Sequence, residues 1–368
     1  MYNEHNQQLM MVIFDGIDNS VFKSQVLAPL LQQISVQKNL EITLVSFERK
    51  SYSNEQLIKI IPPHDQLHVI LCPRTPFIGI VGLWIAGYYF KKIIASIPLE
   101  KIIARGPLAG FIVLQFIKNL YEEHEPQEVI DVIVQARGLA AEEYRLACEQ
   151  ESNQWYHRLF QKWYFQALQQ IEYEVYRNDI FKKKYGSFEI EAVSDALKQY
   201  LIEQYEAPDD KIFIAEKDLV TRINQDDKTI WRTKIRSLLN IPQEALVYCY
   251  SGSAKPWQCI TETIDFMQEK MSTNTNIWLM LLIPEQDIPI VKQILEKSNL
   301  NKNQIIMTSV PAARLLEYLS AADYGLLLRK KDIVNWVSRP TKALEYYSVG
   351  LEIIHNDTIA YVKKLTTK

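Results

Sequence analysis

The second half of the chain alternates between two periods. Short runs that are apolar without a break, ALVYCYSG at 245–252, IWLMLLIP at 277–284, QIIMTSV at 304–310, YGLLLRK at 324–330 and finally LEIIHN at 351–356, are separated by stretches whose apolar positions recur every three or four residues. A strand buried on both faces has no polar side, and a helix between successive strands supplies the crossover that parallel pairing needs. The pattern predicts a parallel sheet covered by helices on both faces.

The first half opens in the same way, with LMMVIFDG, a helical stretch at FKSQVLAPLLQQI, and then EITLVSF, LHVILCP, KIIARG and DVIVQARG. A long polar and aromatic segment at 139–184 departs from the pattern before SFEIEAVSDALKQYLIEQY and KIFIA restore it. The polar run EKDLVTRINQDDKTIWRTK at 216–234 reads as a linker, which places the boundary near residue 222 and predicts domains at 1–222 and 223–368. The expected fold class is α/β, two Rossmann-like doubly wound domains facing a cleft, with ligands beyond the carboxyl ends of the strands.

Composition narrows the partners. A net charge of −3, from 41 basic and 44 acidic residues, gives no general field that draws the chain to nucleic acid or anionic lipid. The basic patches KKIIAS and FKKKYG read as solvated surface. Four scattered cysteines without a CxxC pair predict buried thiols in a reducing cytoplasm, and the polar start MYNEHNQQ predicts no leader. The apolar part of 77–97 falls short of the ~20 residues a spanning helix needs. It reads either as a buried helix or as one lying on a membrane face with Trp84, Tyr88, Tyr89 and Phe90 at the interface.

Candidate chemistry concentrates in two stretches. In NWVSRPTKALEYYSVGLEII, Ser338 is a predicted N-cap and Pro340 suits the first turn of a helix. The open N–H groups of Thr341 and Lys342, with the Lys342 charge, suit phosphate oxygens. Glu345 falls one turn deeper on the same face, where a carboxylate can accept both hydroxyls of a ribose. The plainer reading is a well-formed helix start. In YSGSAKPWQ, a strand runs straight into Gly252, where backbone can approach a ligand and Lys255 can neutralise a pyrophosphate. Alone, that stretch is also an ordinary strand-to-helix turn. No DxD ligand pair or histidine cluster occurs, so neither a metal nor a cofactor is expected.

Together, YSGSAKPWQ and AADYGLLLRK…VSRPTKALEYYSVGLEII resemble the donor domain of retaining GT-B glycosyltransferases of the large family 4 group. Upstream, DVIVQARGLAAEE resembles that group's acceptor-domain DxRG…EE run, and AVSDALKQYL its VSxxLKxYL segment. The resemblance implies ribose binding by Glu345 and diphosphate binding by the Thr341 and Lys342 backbone, with Gly252, Ser253, Asn335, Ser338 and Pro340 around the donor. Lys255 is the candidate cation on the β-phosphate. Arg137 and Glu143 join it as candidate catalytic groups, and Gly16 and Arg105 belong to the acceptor-side loops. Departures are equally specific. Val337 stands where the group's first, sugar-facing glutamate belongs, Ser253 where an arginine is frequent, and Gln135 where an acid precedes the RG pair. The segment after Gly350, 18 residues long by difference, reads as an abbreviated form of the group's closing strand and helix.

The activity so implied is transfer of a sugar from a nucleotide-diphosphate sugar to a glycan or lipid-linked saccharide, without metal and with retention of configuration. A cytoplasmic site, with peripheral contact at the inner face of the membrane, goes with such an acceptor. Two alternatives stay open: a non-catalytic nucleotide-binding protein of the same fold, and a nucleotide-sugar epimerase.

Overall fold

The computed structural model describes residues 7–19, 21–74, 79–94, 97, 100–123, 129–148, 155–178, 180–181, 186–215 and 222–366. The chain divides into two units, Met1–Ala215 and Glu216–Lys368. In the first, seven strands, β1 (Gln7–Ile13), β2 (Leu40–Glu48), β3 (Leu67–Pro73), β4 (Lys101–Arg105), β5 (Asp131–Ala136), β6 (Phe188–Ala192) and β7 (Ile212–Ile214), lie in the order β3-β2-β1-β4-β5-β6-β7. In the second, β8 (Leu246–Ser251), β9 (Ile277–Leu282), β10 (Ile305–Thr308), β11 (Tyr324–Leu327) and β12 (Glu352–His355) lie in the order β10-β9-β8-β11-β12. Every pairing is parallel. Both sheets are therefore doubly wound, each with one point where the chain reverses its direction of winding. That point lies between β1 and β4, where Ile13 faces Arg105, and between β8 and β11, where Cys249 faces Gly325. Reversal leaves a crevice at the carboxyl ends of those two strands, because the helices that follow them leave to opposite faces.

Two polar stretches form structure that their composition hid. Of the run expected as a linker, 216–221 lie outside the described residues and the remainder enters a helix from Gln225 to Leu238, capped by Asn224, whose side chain accepts from the Asp226 N–H at 3.0 Å. Its buried face includes Arg236, fully enclosed, which donates to Asp323 at 2.9 Å and to the carbonyls of Ala321, Gln243 and Ala245. A buried arginine paired in this way does in the core what an apolar residue would have announced in the sequence. The polar and aromatic segment at 139–184, which departs from the alternation, contains helices Ala140–Cys148 and Trp155–Arg177. Glu172 of the second is wholly buried and accepts from the Ala140 N–H (2.6 Å) and the Tyr205 hydroxyl (2.7 Å), so it caps the first helix from a neighbouring one. The lysines of FKKKYG at 182–184 lie outside the described residues. Among the described residues no helix is long and apolar enough to cross a membrane. Helix Ile80–Ile94 exposes Trp84, Tyr88 and Tyr89 but buries Phe90 completely, which removes Phe90 from any interfacial role.

Candidate functional site

At the reversal point of the second unit, β8 ends at Ser251 and the chain turns through Gly252 at φ +141°, a conformation that favours glycine. A Cβ at Gly252 would overlap the Lys342 ammonium, so glycine is also what lets that lysine reach the loop. The loop is held on three sides. Gly252 donates its N–H to Leu282 O (2.9 Å), the Tyr250 hydroxyl donates to Ser253 O (2.7 Å), and the Ala254 N–H donates to Asp287 Oδ2 (2.9 Å).

Helix Thr341–Ser348 approaches the same point, and Tyr346 sets its position. The buried Tyr346 hydroxyl accepts from the Ser251 N–H at 2.9 Å and donates to Leu326 O at 3.3 Å, bridging the ends of β8 and β11. Gly325 makes the approach possible, since a Cβ there would overlap the Tyr346 ring. The helix begins after Pro340 with no side-chain cap. Ser338, expected to be the cap, instead closes the preceding helix Ile333–Val337 and donates to Asn335 O at 2.8 Å. Asn335 is buried and donates to Lys330 O at 2.9 Å, so both side chains hold the loop together. The first-turn N–H groups of Thr341 and Lys342 take no partner from the described residues.

Two cations meet here. The Lys342 Nζ donates to Gln258 Oε1 at 2.6 Å and lies 4.6 Å from the centre of the Tyr250 ring. Arg329, two residues beyond β11 and only 5% exposed, donates to Gln258 O (3.4 Å) and Leu328 O (3.2 Å). Among the described residues neither makes a salt bridge. Burial, and after it the neighbouring Arg329 charge, holds Lys342 well below the usual lysine range, with Glu345 pulling the other way. Cations so poorly compensated favour an anion, and the uncapped helix start adds donors and a favourable dipole. The Glu345 carboxylate, one turn along, accepts no hydrogen bond from the described residues and is pushed up by burial, with Lys342 opposing. The group is thus a cluster of two cations at a helix start, with a carboxylate one turn along.

Lys255 is not drawn into this group: it is exposed, with its ammonium 5.2 Å from the centre of the Trp257 ring. Val337, where the resemblance places a carboxylate, is buried at 1% exposure. Arg329 and Gln258 escaped the sequence reading. The signal for Arg329 was a cation directly after a buried apolar strand, and for Gln258 there was none.

The reversal point of the first unit repeats the plan with different charges. Gly16, at φ +82°, follows β1, and its loop is pinned by Glu48 at the end of β2, which accepts from the Ile17 N–H (2.9 Å) and from the Ser46 hydroxyl. A cavity of about 280 Å³ beside it is lined by Asp15, Gly16, Asp18, Glu48, Arg49 and Arg74 among others. Arg105 ends β4, buried, with Nη2 on Gln25 and Nη1 without a hydrogen-bond partner among the described residues. Burial, followed by the charge of Arg137, pushes it down to about 10, while Asp15 and Glu191 oppose. Arg137 follows β5 and pairs with Glu191 Oε1 at 2.7 Å. Gln135, in register with Glu191, donates to the same carboxylate at 3.2 Å, so the acid missing at position 135 is supplied by the next strand. Glu143 is exposed as a residue, yet its carboxylate folds back against Gly138. Desolvation and then the Asp15 charge push it up to about 7, with a backbone hydrogen bond at Leu139 opposing. Glu142 beside it pairs with Arg145 at 2.6 Å.

No family model and no curated protein matches the sequence. Solved structures do. Sucrose-phosphate synthase from Thermosynechococcus elongatus superposes with TM-score 0.66 at 13% identity, covering 96% of this chain and 82% of that one. The fold is that of the GT-B glycosyltransferases. A glycosyltransferase from Rickettsia africae ESF-5 gives TM-score 0.60 at 12% identity, covering 100% of this chain and 88% of that one. Anabaena HepE, solved in complex with UDP and glucose, gives TM-score 0.60 at 11% identity, with 97% and 82% covered. Each likeness runs through both GT-B units of the chain.

Proposed function

We propose that the chain is a glycosyltransferase that moves a sugar from a nucleotide-diphosphate sugar to a glycan or lipid-linked saccharide, with retention of configuration. The observation that carries this reading is the cluster of cations at the reversal point of the second unit. There Lys342 reaches the Gly252 loop at an uncapped helix start and shares Gln258 with Arg329, neither has a paired acid among the described residues, and Glu345 lies one turn beyond. In this reading the second unit holds the donor and the first the acceptor.

The chemistry follows from the charges. As the sugar–phosphate bond breaks, negative charge grows on the departing diphosphate, where Lys342, Arg329 and the N–H groups of Thr341 and Lys342 are already oriented. Two protein cations supply the neutralisation for which phosphate chemistry often uses a divalent ion, so the transfer proceeds without one. Glu345 accepts the ribose hydroxyls. On the acceptor side Arg105, Arg137 and Glu143 frame the incoming hydroxyl beside the Gly16 loop, and Lys255 stays at the rim of the donor pocket. A saccharide on a lipid carrier would bring the protein to the inner face of a membrane.

A second reading, a nucleotide-binding protein without turnover, is favoured by one feature, the burial of Val337 where the resemblance places a sugar-facing carboxylate. Calorimetry with UDP, GDP and ADP tests the shared part of both readings. One nucleotide should bind selectively, and Glu345→Ala should weaken it by ~1–3 kcal/mol, the range for hydrogen bonds to a charged group. A folded variant with unchanged affinity removes the ribose assignment, and binding without sugar transfer to any acceptor favours the second reading.

A further inference from the structure

We infer that the first unit carries a face that docks on anionic phospholipid, formed by helix Ile80–Ile94 and the first half of helix Trp155–Arg177. On the first helix Val81, Trp84, Ile85 and Tyr88 recur at helical spacing and are exposed, Trp84 at 63% and Tyr88 at 58%. On the second, Leu159, Phe160 and Trp163 are exposed too, Leu159 at 59%. The two sets adjoin. Gly79, at the entry to the first helix, lies so near the Trp163 indole that a Cβ there would stand 3.3 Å from it. Scattered apolar side chains are normal on a protein surface, but a joined aromatic and aliphatic face marks a contact site.

Charge and residue type identify the occupant. The chain as a whole carries 44 acids and a net charge of −3, yet no Asp or Glu occurs from 80 to 94 or from 155 to 171. The charged residues on those two segments are Lys91, Lys92, Arg158 and Lys162. Lys92 rests its ammonium 4.6 Å from the centre of the Tyr88 ring, so cation and aromatic belong to one surface. Tryptophan and tyrosine beside lysine, on an apolar helix face lacking acids, match the boundary between acyl chains and anionic headgroups. A second copy of the chain would set these bases against one another, which like-charge repulsion opposes. Beside the face, a groove of about 390 Å³ lined by Leu83, Trp84, Gly87, Tyr88, Lys91 and Phe116 places apolar walls and a lysine together. Nothing lies within 4 Å of where a Cβ on Gly87 would stand, which keeps that groove open.

The inference rests on this face and not on transfer activity, and a lipid-linked acceptor would be one use of it. It is tested by sedimentation of the full chain with vesicles, without donor or acceptor, so the outcome is independent of the transferase reading. The protein should partition onto phosphatidylcholine vesicles containing phosphatidylglycerol and much less onto phosphatidylcholine alone, with a blue shift of tryptophan fluorescence. Trp84→Ser/Tyr88→Ser/Trp163→Ser should lower partitioning at least about tenfold. Lys91→Glu/Lys92→Glu should cost about fivefold for each lysine and abolish the preference for phosphatidylglycerol. All substitutions are at exposed positions, and an unchanged melting curve verifies the fold. Absence of wild-type binding to phosphatidylglycerol vesicles, or a folded triple variant within about twofold of wild type, overturns the proposal. A wild type that ignores vesicles and runs as a dimer that the triple variant splits would assign the face to a second copy instead.

Discussion

The two units solve the same topological problem with different charges. Each places a glycine at positive φ after its first strand, Gly16 or Gly252, and a buried arginine at the end of the strand across the reversal point, Arg105 or Arg329. Around Arg105 the acids Asp15 and Glu191 oppose the cations, and Glu191 holds Arg137 directly. Beside Arg329, Lys342 is answered by the Gln258 amide oxygen, the Tyr250 ring and the field of Glu345, and among the described residues by no paired acid. One fold therefore carries a nearly balanced site and an unbalanced one. A balanced site stabilises the protein alone; an unbalanced one costs stability that an anion restores.

Four substitutions sharpen that contrast, and the largest effect belongs to a cation with its acid. Arg236→Met leaves Asp323 to Arg232 alone and takes the buried donor from the Gln243 and Ala245 carbonyls, and chemical denaturation should record a loss of about 3–5 kcal/mol. Next is the pH response of the first unit. Glu172, buried, has its carboxyl pushed up to about 7 by desolvation, which its three hydrogen bonds only partly oppose. The folded state then binds the proton more tightly than the unfolded chain, so this stabilisation is full below about 4.5 and falls away as pH rises to about 7. The loss approaches 3 kcal/mol, and Glu172→Gln should flatten the slope in denaturation curves taken across that window. The smallest effect is the most diagnostic. Lys342→Met removes a poorly compensated charge and should raise stability by about 1–2 kcal/mol while nucleotide binding falls by about 2–3 kcal/mol. Arg105→Met should leave nucleotide binding within about 0.5 kcal/mol of wild type, as befits a site in the other unit. A destabilised Lys342→Met that still binds nucleotide would mean that the two reversal points do not differ in the way described.

Both sheets could be read from the sequence because strands buried on both faces leave long apolar runs, and glycines at 16 and 252 mark the loops that follow their first strands. The helix at Thr341 was legible from Pro340 and the terminal Gly350, and Lys342 and Glu345 from their spacing on it. Three things were hidden, each for a physical reason. Helix Gln225–Leu238 buries an arginine, so its inner face looks polar. Glu172 caps a helix from a distance in sequence that no local motif records. Gln258 and Arg329 meet Lys342 only once a loop and a strand end are folded together, whereas Lys255, which looked better placed on the chain, points to an aromatic ring outside the pocket.

Tyr346 gives the pocket an unusual dependence. Its hydroxyl serves main-chain groups of both central strands, its ring occupies the space that Gly325 leaves, and Lys342 and Glu345 stand on the same short helix. Spacing between the candidate phosphate-binding and ribose-binding groups is thus inherited from the sheet and not set by the loops. Evolution could retune the loops around such a pocket freely, but any change in its ruler would have to begin in the core.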